Sequence, residues 1–192
     1  MAEQSSPDPL HGVARYLSIL GHPFVVLPAS IAAIAVLRGA DPRLALPLAL
    51  VFVAVVLALA LGVRRGRFND FDVSQRERRP GFYALVILAT VVLGVRLRRD
   101  PQAFWACVTA GVTLVACGLL NRWIKVSLHT AFALYAAGLW CAWSPGAGLL
   151  ALPFAAAVAW SRLRLRRHSR AEVLAGAAAG LAAGAALVLL AG

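Results

Sequence analysis

Residues 161–176 read SRLRLRRHSRAEVLAG and lie between two long apolar runs. The first twelve of these residues hold five arginines, one histidine and one glutamate. The runs on either side consist almost entirely of aliphatic and small side chains. Ionisable groups at membrane depth are costly and are functional candidates by default, and this concentration of charge directly adjoins two apolar segments. The stretch therefore predicts a functional site at the end of a membrane-spanning helix.

The composition of the whole chain predicts an integral membrane protein. Of the 192 residues, 61% are apolar, and the mean hydropathy is +0.78, whereas soluble domains average roughly 45–50% apolar. The apolar residues form long uncharged runs, and no stretch has the character of a linker between domains. We expect residues 1–192 to form a single domain, an all-α polytopic transmembrane helix bundle, in which residues 1–15 are a polar N-terminal tail or an interfacial segment.

Seven apolar segments are candidates for crossing the bilayer, which takes about 20 residues. They cover residues 16–37, 44–63, 82–95, 101–120, 126–143, 147–160 and 173–192, the fifth and sixth being separated by the turn signal Ser144-Pro145-Gly146. The third and sixth are shorter than a comfortable crossing. Six to seven membrane-spanning helices are therefore expected.

Local signals predict how several of these helices begin and pack. Asp100 followed by Pro101 is typical of an N-cap and a first helical residue. Ser169 and Glu172 have the spacing of a capping box before the last helix. Within that helix, glycines recur every fourth residue, at Gly176, Gly180 and Gly184. Small residues at this spacing allow close helix packing, which we expect to occur inside the bundle.

The order of the segments predicts which polar stretches share a membrane face. If all seven cross, residues 64–80, 121–127 and 161–172 lie on one face. That face, with Arg15 included, holds 14 of the 19 lysines and arginines, and the other holds 5. Because positively charged loops stay in the cytoplasm, the site is expected on the cytoplasmic face of the cell (inner) membrane. The net charge of +11 then indicates anionic headgroups, and no aromatic-rich basic patch points to nucleic acid.

Two of the four histidines are candidates for chemistry. His129 and His168 each lie at the polar edge of an apolar segment on the expected site face, whereas His11 and His22 are expected to be incidental. An ionisable group at membrane depth is a functional candidate. For His129, satisfaction by a neighbouring helix is an equal alternative.

Three motifs follow one another along the chain. Residues 78–80 supply Arg-Pro, residues 125–129 (KVSLH) supply S-x-H, and residues 161–172 have the form S-R-x5-H-x3-[D/E], continued by VLAG. In this order and at these spacings they resemble the signature motifs of the type 2 phosphatidic acid phosphatase (lipid phosphate phosphatase) family. The resemblance covers about residues 70–180, and three motifs in order are more specific than one.

The resemblance implies metal-independent hydrolysis of a lipid phosphate through a phosphohistidine, with no cofactor. His168 would be the nucleophile, Glu172, in place of the usual aspartate, would orient it, and His129 would be the general acid. The implied phosphoryl-oxygen ligands are Arg79, Ser127 and Arg162. These residue types suit the chemistry, since arginine offers a planar fork of donors, neutral imidazole is a nucleophile, and a carboxylate fixes the histidine tautomer.

The chain departs from the family pattern in its first two motifs. Asp72 occupies the place of the first-motif lysine, so that Arg76 or Arg78 would have to supply the missing cation. The second motif is usually P-S-G-H, and Val126 and Leu128 replace its proline and glycine. These differences identify a divergent member and leave the headgroup of the substrate open.

The expected substrate is amphiphilic, of the phosphatidate, phosphatidylglycerophosphate or polyprenyl-phosphate type, and no oligomer is required. One alternative is a catalytically altered, phosphatase-like protein that binds anionic lipid without turnover. Another is a magnesium-dependent prenyltransferase, since residues 69–72 (NDFD) resemble a magnesium-diphosphate motif, although no second aspartate-rich motif follows.

Overall fold

In the computed structural model, residues 8–39, 45–67, 77 and 79–191 are described, and their regular secondary structure is helical throughout. The eight helices are α1 (Pro9–Leu20), α2 (Pro23–Leu37), α3 (Ala45–Arg64), α4 (Arg79–Arg96), α5 (Pro101–Leu120), α6 (Leu128–Trp143), α7 (Pro145–Arg164) and α8 (Arg170–Ala191). The all-α prediction is confirmed for these residues. Arg76, Arg78 and the stretch 69–72 lie outside them.

Helices α2 to α8 coincide with the seven predicted apolar segments, and α1 begins inside the predicted tail. Four of them, α4, α5, α7 and α8, are long and apolar enough to cross a membrane, and the bent pair α1–α2 could form a fifth span. Among the described residues, α3 and α6 have shorter apolar lengths. The chain is thus a helical bundle with four to five candidate spans, and the expected count of six to seven is not confirmed.

The apolar segments 82–95 and 147–160, which are shorter than a comfortable crossing, belong to the longer helices α4 and α7. α4 begins at Arg79 and ends at Arg96, giving 18 residues, and α7 runs over 20 residues. Both helices gain length by including arginines at their ends, because the long arginine side chains can extend to the membrane interface. The start of α5 is as predicted, because the Asp100 carboxylate accepts the Ala103 N–H at 3.0 Å.

Helix α6 is the centre of the bundle and packs against α2, α7 and α8. Ten of its 16 residues are buried. The glycines of α8 lie directly against its backbone: a Cβ on Gly176 would lie 2.4 Å from the Ser127 carbonyl oxygen, and one on Gly180 2.2 Å from that of Ala131. The predicted small-residue packing inside the bundle is confirmed, and it fixes the start of α8 beside the start of α6.

The first predicted span is broken into α1 and α2, which meet at 58°. α1 ends at Gly21, where a Cβ would lie 2.4 Å from a methyl carbon of Val158 on α7. His22 is extended, and Pro23 starts α2. α1 packs on α7 and exposes Leu10, Val13 and Tyr16. The close contact of Gly21 with α7 sets where the break lies in the bundle.

Candidate functional site

His168, the predicted nucleophile, lies in the short connection between α7 and α8. The imidazole Nδ1 is 2.9 Å from Oε2 of Glu172, and the His168 side chain is only 1% exposed. With Glu172 ionised, Nδ1 carries the proton that it donates, so that the Nε2 lone pair faces away from the carboxylate. This is the orientation that a nucleophilic imidazole requires.

Glu172 also forms the predicted capping box of α8. Its Oε2 accepts the Ser169 N–H at 3.1 Å, while its own N–H donates to Ser169 Oγ at 3.3 Å. The capping box is therefore confirmed. Because the same carboxylate also bonds His168, the start of α8 holds the histidine ring in place.

The environment of His168 favours the neutral imidazole. Burial lowers the pKa of His168 from its ordinary 6.5 to about 4, helped by the positive charges of Arg162, Lys125 and Arg79 and opposed by the hydrogen bond to Glu172. At neutral pH the ring is uncharged, and its second nitrogen is available for attack. The contributions of Arg162, Lys125 and Arg79 to this shift indicate that all three cations act electrostatically on the ring.

The second motif is hydrogen-bonded to the third. The Ser127 N–H donates to the Glu172 carbonyl at 3.1 Å, across the contact that Gly176 permits. Ser127 is fully buried, and its hydroxyl lies 3.1 Å from that of Thr130. Lys125 donates to the Arg167 carbonyl at 3.2 Å, immediately before His168. Both motifs thus belong to one connected structure.

The first motif joins this structure through Arg79. The guanidinium is buried at the start of α4, and its Nη1 donates to the Val126 carbonyl at 2.9 Å. A buried arginine costs free energy unless its donors are satisfied. Arg79 is therefore held beside the second motif, with its charge acting on His168.

Arg162 is the second buried arginine of the site. It lies in the last turn of α7, is 3% exposed, and donates through Nη1 to Ser18 Oγ at 2.6 Å. Ser18 belongs to α1, which lies outside the part of the chain that carries the family resemblance. Two residues further along α7, Arg164 is ion-paired with Asp8 at the start of α1. α1 is therefore attached to the site by two polar contacts.

His129 lies beside Arg79 in a small cavity of the bundle. It is the second residue of α6, is 3% exposed, and lines a cavity of about 20 Å³ together with Arg79, Phe82 and Leu128. A cavity of this size holds roughly one water molecule. Leu128, which replaces the family's glycine, fills space that a smaller residue would leave open.

The sequence prediction missed His22, which had been expected to be incidental. Its ring packs edge to face on that of His129, with centroids 4.9 Å apart, and lines the same cavity. The signal was present in Gly21-His22-Pro23, because a residue before proline is disfavoured in the helical conformation. A histidine at a helix break inside an apolar segment is a candidate for a functional site on the same grounds as His129.

The structure therefore brings together all the predicted site residues that it describes: Arg79, Ser127, His129, Arg162, His168 and Glu172. Arg76 and Arg78 lie outside the described residues, so their predicted role as substitutes for the motif lysine stays a prediction. Within the described part of the chain, no group of three or more histidine, cysteine, aspartate or glutamate residues could hold a metal ion.

Comparison with protein-family models, with curated proteins and with solved structures finds no match for the chain. The family resemblance consequently depends on the three motifs, and membership stays a prediction.

Proposed function

We propose that the protein is an integral membrane phosphatase that removes phosphate from an amphiphilic lipid phosphate through a phosphohistidine on His168. The observation that carries the proposal is the buried, neutral His168, oriented by Glu172 and within electrostatic reach of the buried Arg79 and Arg162. Buried arginines beside a nucleophile suit a dianionic phosphoryl group, whose oxygens they would hold and whose charge they would offset.

The first step transfers the phosphoryl group to the protein. The Nε2 lone pair of His168 attacks phosphorus while the bond to the lipid oxygen breaks. The bonding pair stays on that oxygen, which takes a proton from the imidazolium of His129 and leaves as the lipid alcohol. Glu172 stabilises the positive charge that develops on the attacking ring.

The second step releases phosphate. Water attacks the phosphorus of the phosphohistidine and gives a proton to the now neutral His129. The phosphorus–nitrogen bond breaks, and its electron pair returns to Nε2 of His168. Both histidines regain their starting protonation states. No cofactor enters either step.

The position of the site in the bundle favours a lipid substrate. It is built at one end of the bundle, from the starts of α4, α6 and α8 and the end of α7. Four of the helices are long and apolar enough to span a bilayer. We infer six to seven crossings with the site at the cytoplasmic interface of the inner membrane, where a headgroup could enter while its chains stay in the bilayer. Candidate substrates are phosphatidate, phosphatidylglycerophosphate and polyprenyl phosphates.

Phosphate release from these three lipid classes, measured with purified protein in detergent and EDTA, tests the proposal. We expect hydrolysis by the wild type and at least about a thousandfold loss in His168→Asn, because the nucleophile is absent. Glu172→Gln should lose less, since it keeps a neutral partner for the ring. The matched control is His11→Asn, at an exposed position of α1.

The same assay separates the alternatives. Tight lipid binding without release of phosphate would favour a binding protein that lacks turnover. Activity abolished by EDTA would favour a magnesium-dependent enzyme. Full activity in His168→Asn would exclude the phosphohistidine.

A further inference from the structure

The break between α1 and α2 has a fixed position relative to the site. Gly21, the last residue before His22, lies against Val158 of α7 so closely that no Cβ fits there. One turn earlier, Ser18 accepts the hydrogen bond from Arg162. Non-helical backbone at membrane depth occurs where it is buried in protein or lines a cavity. The break therefore presents His22 at a defined place, and the next question is what the ring does there.

The His22 ring has a defined orientation and tautomer. Its Nδ1 accepts the Phe24 N–H at 3.2 Å, as the cap of α2. An accepting Nδ1 carries no proton, so the neutral ring must be protonated on Nε2. With one edge engaged in the cap, the ring packs at 86° against His129. His22 is thus a rigid, polar neighbour of the predicted general acid.

The two histidines share a cavity with Arg79. Three of the seven residues that line it, His22, Pro23 and Phe24, come from the break between α1 and α2. Arg79 also donates to the Val126 carbonyl beside Ser127 and acts electrostatically on His168, so the cavity adjoins the proposed phosphoryl site. In the proposed phosphoryl transfer to His168, the motif resemblance assigns protonation of the departing lipid oxygen to His129.

We propose that His22 is a positioning residue for the leaving-group step: its capped ring, packed edge to face on His129, holds that imidazole in line with the departing lipid oxygen. The inference rests on the proposed function, and it adds the N-cap residue of α2 to a site otherwise built from the three motifs. The step is the one written above, in which the phosphorus–oxygen bond breaks and His129 gives its proton to the oxygen. His22 gives up no proton and forms no bond to substrate.

Two substitutions of His22 distinguish its role as the cap of α2 from its contact with His129. His22→Asn keeps an acceptor at the position of Nδ1, and asparagine is a good N-cap, but it removes the ring that packs against His129. His22→Gln loses the cap and places a donor near the position of Nε2. His11→Asn removes an exposed histidine of α1 and is the matched control.

The experiment compares two leaving groups with purified full-length protein in detergent. One substrate is the lipid phosphate that the wild type hydrolyses fastest, whose alkoxide needs a proton to leave. The other is p-nitrophenyl phosphate, whose phenolate leaves unprotonated. General acid catalysis contributes about 10²–10⁴-fold, and misalignment of the acid forfeits part of it. For His22→Asn we expect kcat on the lipid to fall at least about tenfold, with KM and the p-nitrophenyl phosphate rate within about twofold of the wild type.

His22→Gln restores a donor without the packed ring, so it should keep the loss on the lipid, and full recovery would overturn the inference that ring packing positions His129. A His22→Asn protein with unchanged kcat on the lipid, or with equal losses on both substrates, would overturn the inference while the phosphatase assignment stands. A thermal unfolding midpoint near that of the wild type shows that the variant is folded. A large drop in the midpoint together with equal losses on both substrates indicates a merely structural role for His22 and also overturns the inference. If the wild type hydrolyses neither substrate, the proposed function fails and the inference fails with it.

Discussion

At the scale of single residues, the site depends on one histidine kept neutral in a positively charged environment. His168 is buried among cations that all disfavour its protonation, and the hydrogen bond to Glu172 offsets only part of their effect. A free imidazole would be partly protonated near pH 6.5. The protein thereby keeps the imidazole of His168, the proposed nucleophile, neutral well below neutral pH.

This environment has a measurable cost in stability. The unfolded chain protonates His168 near pH 6.5, whereas the folded protein does so only near pH 4. As the pH falls between these values, the unfolded state gains a proton that the folded state does not, so the free energy of unfolding must decrease, by up to about 3 kcal/mol. Thermal unfolding of the wild type in detergent should show this acid sensitivity.

The matched control for that measurement is His168→Asn, which lacks the titrating group. Its midpoint should fall less than that of the wild type between pH 6.5 and pH 4. Parallel pH curves for the two proteins would show that His168 is protonated as readily in the folded state as in the unfolded one.

At the scale of helices, the contact of α8 with α6 determines the geometry of the site. The glycines of α8 let its backbone touch that of α6, and this approach allows Ser127 to donate to the Glu172 carbonyl. The second and third motifs are thus aligned by backbone contact, before any side chain of the site takes part.

Substitution of Gly176 should therefore disturb the site from outside its chemistry. In Gly176→Ala the new Cβ would lie 2.4 Å from the Ser127 carbonyl oxygen, and since that atom is backbone, one helix must shift. Overpacking of this kind costs about 1–3 kcal/mol. We expect a lower unfolding midpoint and a clear loss of phosphate release.

Gly146→Ala is the control, because a Cβ there meets nothing within 4 Å. It should leave the unfolding midpoint and the rate of phosphate release close to those of the wild type. A Gly176→Ala protein as stable and active as Gly146→Ala would contradict the assigned packing.

At the scale of the whole molecule, the described residues of the candidate site gather at one end of the bundle. Arg79 at the start of α4, Ser127 before α6, Arg162 at the end of α7 and Glu172 at the start of α8 are within one network of contacts. The turn between α4 and α5, with Arg98, lies at the far end of α4 from Arg79. Charge asymmetry then predicts that the site end faces the cytoplasm.

Cysteine labelling in intact cells tests this orientation. In a background with the three native cysteines, Cys107, Cys117 and Cys141, replaced by alanine, single substitutions Arg98→Cys and Arg167→Cys place thiols at exposed positions of opposite ends. A membrane-impermeant maleimide should label Arg98→Cys and leave Arg167→Cys unmodified. Both should react after permeabilisation, and the reverse pattern would place the site outside the cell.

Much of this arrangement could be predicted because its causes are local in sequence. The capping box at Ser169 and Glu172, the N-cap at Asp100 and the four-residue glycine spacing each depend on residues a few positions apart, and the structure confirms all three. The apolar segments likewise located α2 to α8. Caps and apolar or small-residue periodicities lie within a single helix, so they can be predicted from the sequence of that helix.

The missed features depend on contacts between distant segments. No local pattern links His22 with His129 or Ser18 with Arg162, since these pairs meet only after α1 and α2 dock on α6 and α7. The expected number of crossings is not confirmed, for a different reason. The parity argument treats every apolar segment as a span, whereas the described lengths qualify four helices and one bent pair.

The shared oxygen of Glu172 links the start of a helix to catalytic competence. Oε2 accepts the Ser169 N–H that begins α8 and also faces Nδ1 of His168. Unwinding of the first turn of α8 would therefore release the nucleophile while the remaining helices stay packed. If the proposed activity holds, we expect phosphate release to be lost on heating when this turn frays, at or below the temperature at which the bundle unfolds.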